Sequence, residues 1–131
     1  MKPKVLIVDA DHEMMWLHWL TLVIPTGFDV VTFRSSTEAL AALHDGDTYA
    51  LAVIGSEIRG HLHALELAAL IGRIMPQLPI IFMPWAVTET YRAVCAPYGV
   101  KFVTKRMAFA EYEHAVRRLL HDTRRQISLA A

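Results

Sequence analysis

Short apolar runs alternate with segments of helical periodicity along the whole chain, and this alternation constrains the fold more than any other feature. Each run is rich in Val, Ile, Phe or Tyr, which is typical of β-strands. The five runs are Val5 to Val8, Phe28 to Phe33, Tyr49 to Ile54, Pro79 to Met83 and Val100 to Val103. Several are apolar at nearly every position, which favours a parallel sheet that is covered on both faces.

Helices of about three turns are predicted between and after these strands. Pro25 ends the first, Ser35 and Glu38 form a capping-box pattern at the start of the second, and Gly99 follows the fourth. The predicted helices cover residues 11–24, 35–45, 62–75, 88–98 and 108–125. A β-α unit repeated five times with right-handed crossovers folds into one parallel sheet with helices on both faces.

The composition indicates one ordinary domain. The chain has 131 residues, of which 54% are hydrophobic and 20% charged, so intrinsic disorder is excluded. We assign residues 1–125 to a single domain and 126–131 to a short C-terminal tail. The 13 Lys and Arg residues balance the 13 Asp and Glu residues, so no global field favours nucleic acid or an anionic membrane.

The sequence predicts a cytoplasmic protein. The longest apolar stretch, Met14 to Ile24, falls well short of the roughly 20 residues needed to span a membrane. The N-terminal residues lead directly into the first strand without the small-residue cleavage site of a secretory signal. The one cysteine, Cys95, cannot form an internal disulfide.

Ligand chemistry in an open parallel sheet lies outside the carboxyl ends of the strands. The residues at those ends can be read directly from the sequence. They are Asp9, Ala10, Asp11 and His12 after the first strand; Gly55, Ser56 and Glu57 after the third; Pro84 and Trp85 after the fourth; and Thr104, Lys105 and Arg106 after the fifth.

At this point the chain resembles the receiver domain of two-component response regulators, over residues 4–121. The order and spacing of four motifs carry the resemblance: Val5-Leu6-Ile7-Val8-Asp9, Ala64-Leu65-Glu66-Leu67, Pro79-Ile80-Ile81-Phe82-Met83 and Phe102-Val103-Thr104-Lys105. The resemblance implies an α/β, flavodoxin-like (βα)5 fold, doubly wound around a five-stranded parallel sheet of order 2-1-3-4-5. It also implies a role in phosphorelay signalling or one derived from it.

Family members transfer a phosphoryl group to an aspartate at the end of the third strand, with Mg²⁺ held by that aspartate and an acidic pair after the first. Carried over, the acceptor position falls on Gly55 or Ser56, and neither is a carboxylate. Of the acidic pair Asp9 is kept, whereas Ala10 replaces its partner and the next acid, Asp11, is expected to point elsewhere.

The switch positions depart from the family as well. Its hydroxyl residue at the end of the fourth strand is replaced by Pro84, which has neither a hydroxyl nor an N–H. Its lysine is present as Lys105, and Phe102 occupies its aromatic switch position. With no acceptor to bind, Lys105 is expected to neutralise Asp9 in a fixed ion pair.

These departures predict a stand-alone, phosphorylation-incompetent receiver that is not an enzyme and acts by protein contact. One alternative is a working receiver with an unconventional acceptor, Ser56 or Glu57, although Glu57 should project away from the side chain at position 56. The other is a binder of a small ligand or anion at the strand ends. The phosphate-binding glycines of a nucleotide site are missing after the first strand.

No cofactor and no physiological metal are expected. One well-placed aspartate offers Mg²⁺ only residual binding, because Mg²⁺ needs octahedral oxygen ligation. His61 and His63, in a loop near Asp9 and Asp11, are the candidate ligands for zinc. No further ligand spacing supports such a site.

The first predicted helix is apolar all round, which requires burial on more than one side. At about 100° per residue, a sheet-facing side comprises Met14, Leu17, Leu20, Thr21 and Ile24. The remaining apolar residues are Met15, Trp16, Trp19, Leu22 and Val23. We predict that they form a contact surface for a signalling protein or a second copy of the chain; packing under neighbouring helices is the alternative. No nucleic-acid partner is expected.

Overall fold

The computed structural model of the chain describes residues 4–19, 21, 29–46, 48–105 and 111–119. The strands in these ranges are β1 (Lys4–Val8), β2 (Asp29–Phe33), β3 (Tyr49–Gly55), β4 (Ile80–Met83) and β5 (Lys101–Phe102). The helices are α1 (His12–His18), α2 (Ser36–His44), α3 (Ala64–Ile74), α4 (Glu89–Cys95, continued by a 3-10 turn at Ala96–Tyr98) and α5, whose helical residues are 111–119.

The strands form one parallel sheet in the order β2-β1-β3-β4-β5, which confirms the predicted fold and strand order. β3 lies near the middle, and all of its residues are buried. Burial on both faces therefore explains why the strand sequences are apolar throughout, because a central strand with a helix layer on each face has no contact with water.

Alternate residues along each strand enter two separate cores. On one face Val5 and Ile7 of β1 pack with Met14 of α1 and Tyr112 of α5. On the other face Leu6 and Val8 pack with the buried side chains of α2, α3 and α4, which include Ala39, Leu67 and Cys95. Of the helices that the structure describes, two thus cover one face and three cover the other.

The starts of α1, α2, α3 and α4 lie within two residues of the predicted ones. Half of the predicted capping box forms at the start of α2: the Ser35 hydroxyl accepts the Glu38 N–H at 3.2 Å, and the structure shows no bond from the Ser35 N–H to the Glu38 carboxylate. Gly99 ends the 3-10 turn with a φ of 63°, a left-handed conformation that favours glycine. The predicted end of the first helix at Pro25 and the last turns of the fifth, beyond residue 119, lie outside the described residues.

None of the helices in the described ranges has the length and hydropathy required to cross a bilayer.

Candidate functional site

The carboxyl ends of β1, β3, β4 and β5 meet at one edge of the sheet, as in other open parallel sheets. Two backbone hydrogen bonds hold the chain that leaves β1. The Asp9 N–H donates to the Phe33 carbonyl at 2.9 Å, and the Ala10 N–H donates to the Glu57 carbonyl at 2.6 Å. Residues 9 and 10 therefore connect the end of β2 with the segment that follows β3.

Gly55 is the last residue of β3 and lies against the side chain of Asp9. A Cβ atom on residue 55 would be 2.7 Å from Asp9 Oδ1 and closer still to Oδ2 and Cγ. That separation is far below van der Waals contact, so neighbouring atoms would have to move. The carboxylate of Asp9 thus occupies the space into which a side chain at position 55 would project.

The Asp9 carboxylate is held by a buried chain of hydrogen bonds. Its Oδ2 lies 2.9 Å from His18 Nε2, and both side chains are 0% exposed. The other ring nitrogen, His18 Nδ1, lies 2.5 Å from the Tyr112 hydroxyl. Asp9 Oδ1 accepts the backbone N–H of Asp11 at 3.0 Å. Every polar atom of the three side chains therefore has a partner, as buried polar groups require.

The chemistry of Tyr112 assigns the protons along this chain. Burial, and after it the negative charge of Asp9, raises the pKa of the Tyr112 phenol well above its ordinary value, so the hydroxyl keeps its proton. Assigned from these partners, the hydroxyl donates to His18 Nδ1 and the ring carries its proton on Nε2, which donates to Asp9. Asp9 is then a desolvated carboxylate with a hydrogen-bond donor at each oxygen.

Lys105 pairs with Asp11 and not with Asp9, so the predicted Lys105–Asp9 ion pair is wrong. Lys105 Nζ lies 2.9 Å from Asp11 Oδ2 and 3.8 Å from Glu57 Oε1. The expectation that Asp11 points elsewhere is also wrong. Its Oδ1 caps α1 by accepting the N–H groups of Glu13 and Met14, which leaves Oδ2 free for the lysine.

The lysine is fixed by its surroundings. Its backbone N–H donates to the carbonyl of Pro84 at 3.0 Å, and its Nζ lies 4.9 Å from the centre of the Trp85 ring. The hydrogen bond to Lys105 is the largest cause of the lowered pKa of Asp11. Burial acts in the opposite direction and raises this pKa. The result is a cation covered by two carboxylates and an aromatic face.

The oxygen donors at these strand ends do not fit Mg²⁺. Both oxygens of Asp9 are used by hydrogen bonds, and Ala10 and Gly55 carry no donor side chain. Asp11 and Glu57 are left: Asp11 already caps a helix and holds Lys105, and Glu57 lies 3.8 Å from the same lysine. Two carboxylates that share one ammonium group do not supply the octahedral oxygen ligation that Mg²⁺ requires.

The other predicted strand-end residues have separate environments. The Ser56 hydroxyl is buried and makes no hydrogen bond within the described residues, whereas Glu57 is exposed. Pro84 is buried at the end of β4. Phe102 is half-buried and packs on Phe82, with ring centres 6.0 Å apart. It belongs to the core beneath the site.

His61 and His63 are not brought together with Asp9 and Asp11. His63 is the N-cap of α3: its Nδ1 accepts the Leu65 N–H at 3.2 Å, and Glu66 completes a capping box. Across the described ranges, no group of three or more His, Cys, Asp or Glu side chains could hold a metal ion.

The first helix presents two tryptophans to solvent. Trp16 is 70% exposed and Trp19 is 52% exposed. Met15 is half-buried against the core and is therefore only partly available at this surface. The other two residues of the predicted contact surface, Leu22 and Val23, lie outside the described residues.

His18 and Tyr112 are the site residues that the sequence analysis missed. A signal for His18 was present, because Met14, His18 and Thr21 are spaced four and three residues apart and share one buried helical face. Tyr112 carries no comparable signal. Its partner is 94 positions away in the sequence, and only the folded chain brings the two side chains together.

Comparisons with known proteins place the fold. No protein-family model matches the chain, and no curated protein matches it either. Solved structures do. A CheY-like response regulator receiver domain from Methanospirillum hungatei JF-1 is 16% identical, with a TM-score of 0.81 over 96% of this chain and 99% of that one.

Two further receiver domains agree. The signal receiver domain of an HD domain-containing protein from Pseudomonas fluorescens Pf-5 is 19% identical, with a TM-score of 0.80 over 97% of this chain and 93% of that one. A receiver domain from Clostridium thermocellum is 17% identical, with a TM-score of 0.76 over 93% of this chain and 97% of that one. The chain therefore has the fold of response regulator receiver domains.

Proposed function

We propose that this chain is a cytoplasmic, receiver-like signalling module that accepts no phosphoryl group, carries no catalytic activity and acts by contact with protein. The observation that supports this most directly is the pairing of Gly55 with Asp9. In receiver domains the acceptor aspartate stands at the end of the third strand. Here that end carries glycine, and the Asp9 carboxylate fills the space beside it.

Asp9 is a poor substitute for the acceptor. It is fully buried, and both of its oxygens already accept hydrogen bonds. Attack on a phosphoryl donor needs an oxygen lone pair within reach of the donor, which burial denies. Phosphoryl transfer also depends on a bound metal and positioned donors, and here the metal ligands are missing and the hydroxyl position is Pro84.

The two unconventional acceptors are also unfavourable. The Ser56 hydroxyl is buried, and a serine phosphoester would in any case be too stable for a reversible switch. Glu57 is accessible, but its nearest described cation, Lys105, is already bound at shorter distance by Asp11. Glu57 is therefore the residue that the experiment must examine.

Incubation of the full chain with acetyl phosphate and Mg²⁺, followed by intact-mass spectrometry, tests the proposal. We expect no change in mass, under conditions in which a conventional receiver domain in the same tube becomes phosphorylated. A stoichiometric phosphoryl adduct would overturn it. Loss of such an adduct in Glu57→Gln, with Ser56→Ala unaffected, would identify the glutamate as the acceptor.

The contact part of the proposal is supported by α1. Trp16 on α1 and Trp19 at its C-cap expose large ring surfaces, and exposed tryptophans are enriched at the centres of protein interfaces. Exposure of two indole rings to solvent adds no stability to an isolated domain. Replacing both with serine should leave the thermal unfolding midpoint nearly unchanged while abolishing the contact.

A further inference from the structure

A groove of about 390 Å³ lies between α1 and the residue that follows β2. Arg34 lines it from the β2 side. The lining residues of the α1 side have the spacing i, i+3, i+4 and i+7, so they share one helical face: His12, Met15, Trp16 and, at the C-cap, Trp19. We call this depression the α1–β2 groove.

The apolar part of the groove is wide open to solvent. Trp16 is 70% exposed and Trp19 is 52% exposed, whereas Met15 is half-buried and packs against the core. A small molecule held in the groove would leave much of both indole rings in water. The surface therefore favours a chain segment that extends over the two rings, which are the kind of side chain that carries most of the binding energy in protein interfaces.

The polar part of the groove consists of two basic side chains next to each other. Arg34 Nη2 lies 3.5 Å from His12 Nδ1, and both side chains are exposed. A guanidinium group can only donate, so this contact assigns the acceptor role to Nδ1 and the ring proton to Nε2. The pair then presents only N–H donors, from the rest of the guanidinium group and from His12 Nε2. A hydrogen-bond acceptor is therefore the group that completes the pair.

Within the described ranges, no carboxylate supplies that acceptor. The ion pairs there include neither Arg34 nor His12, and none of the described acids lines the α1–β2 groove. Asp29 and Glu38 line a larger depression that adjoins it along β2, and neither forms an ion pair with Arg34. The Arg34 backbone is fixed, because its carbonyl accepts the Arg59 N–H at 2.8 Å. The guanidinium group is thus positioned for an anion from outside the chain.

We propose that the α1–β2 groove binds a segment of a partner protein in which an acidic side chain lies beside an aliphatic or aromatic one. The carboxylate accepts hydrogen bonds from Arg34 and from His12 Nε2, and the apolar side chain covers Trp16 and Trp19. Charge complementarity selects this occupant, because an acid satisfies the donor pair whereas Arg34 repels a basic segment. The inference rests on the proposed contact function and names the chemistry of the partner.

Selection of short random peptides displayed on phage, with the full chain as the target, tests the choice of partner. We expect the enriched peptides to carry Asp or Glu beside a large apolar residue and to lose binding to Trp16→Ser. Enriched peptides that bind through Trp16 and are basic or uncharged would overturn the acidic partner. A selection that yields no peptide dependent on Trp16 would overturn the groove as a binding site.

Calorimetric titration with one selected peptide tests the contacts. Trp16→Ser should raise the Kd by roughly thirtyfold, as loss of a central tryptophan does. Arg34→Gln should raise it by roughly tenfold or more, because a charge-assisted hydrogen bond is lost. Arg73→Gln is the matched control: Arg73 is an exposed arginine on α3, outside the groove, and its loss should leave the Kd unchanged. Circular dichroism confirms that each variant is folded.

A second peptide, with an amide in place of the acid, tests the pairing with Arg34. It should bind the wild-type chain roughly tenfold more weakly or worse, and Arg34→Gln should weaken it no further. If Arg34→Gln weakens the acidic and the amide peptide by the same factor, the arginine does not bind the acid and the proposed contact is wrong.

Sedimentation velocity of the full chain covers the other occupant. A dimer that Trp16→Ser dissociates and that the selected peptide does not displace would identify a second copy as the occupant and overturn the proposal. Loss of the acidic preference alone removes this inference and leaves the proposed contact function in place, whereas loss of all binding through Trp16 removes both. None of these results bears on phosphorylation, which the acetyl phosphate experiment decides separately.

Discussion

Asp9 and Asp11 are two residues apart, and each has a nitrogen partner at 2.9 Å, yet the two carboxylates lie in opposite environments. Asp9 and its partner His18 are fully buried. Asp11 keeps a fifth of its side chain exposed, with the nearly buried Lys105 as its partner. Equal distances therefore do not mean equal interaction energies, because access of water to the pair decides how much stability is lost when one partner is removed.

The backbone explains why neighbouring residues diverge. The side chain of Asp9, just after β1, points to the sheet face that α1 and α5 cover. His18 and Tyr112 lie on that face. Asp11 is the N-cap of α1 and remains at the rim. The buried Asp9 chain and the part-buried Asp11 pair can therefore be tested with one matched set of variants.

His18→Leu should lower the free energy of unfolding by about 3–5 kcal/mol, because it leaves the Asp9 carboxylate buried without its main donor. Leucine has nearly the volume of histidine, so packing is largely kept. Urea denaturation measures the loss. Asp9→Asn/His18→Leu should be more stable than His18→Leu alone, since the amide carries no charge; a double variant that is the less stable would contradict the buried carboxylate.

Gly55→Ala should lower the free energy of unfolding by about 1–3 kcal/mol, because its methyl group collides with the Asp9 carboxylate. The same substitution in an Asp9→Ala background should be nearly free of this effect, since the colliding atoms are gone. Equilibrium denaturation of the four proteins gives the coupling. Additive losses would show that Asp9 does not fill the space beside Gly55.

Tyr112→Phe should cost about 1–2 kcal/mol of stability, because it removes the partner of His18 Nδ1 and keeps the ring that packs in the core. The matched control is Tyr98→Phe, a half-buried tyrosine outside the chain of hydrogen bonds, and it should change stability by less than about 0.5 kcal/mol. Equal effects of the two substitutions would contradict the bond to His18.

Asp11→Asn should have the smallest effect, below about 1 kcal/mol at neutral pH, because asparagine still caps α1 and Glu57 stays 3.8 Å from the Lys105 ammonium group. The lowered pKa of Asp11 means that the pair stabilises the fold above its ordinary pKa of 3.8 and that this stabilisation is lost as the pH falls through the lower folded value. Denaturation from neutral to strongly acidic pH should show the wild type and variant converging. Asp11→Ala, which also removes the cap, should cost about 1 kcal/mol more.

The fold could be predicted because its signals are local. Strands that are apolar throughout indicate a sheet covered on both faces, and caps such as Ser35 mark helix starts. The pairing of Lys105 could not be predicted in this way. β5 carries the lysine to the strand ends, but the choice between Asp9 and Asp11 depends on which carboxylate the remaining side chains have already bound.

The candidate site also has features that the sequence shows and features that it does not show. The lack of a carboxylate at Gly55 and Ser56, and the presence of Ala10 and Pro84 at two further strand-end positions, are visible in the sequence alone. The buried chain depends on a contact between α1 and α5 that no spacing encodes. The exposed surface of Trp16 and Trp19 could be predicted only in part. Helical periodicity separates Trp16 and Trp19 from the core, whereas the groove beside them exists only once β2 is in place.

The central claim is that the Asp9 carboxylate is turned inward and bonded to His18, where a receiver domain has its open phosphoryl pocket. Nitrogen-edited proton NMR of the full chain at neutral pH, followed by transfer into heavy water, tests it most directly. We expect a His18 Nε2 proton that is visible and exchanges slowly, whereas the ring protons of the exposed His61 exchange rapidly. A His18 ring proton that exchanges as fast as that of His61 would contradict the buried chain.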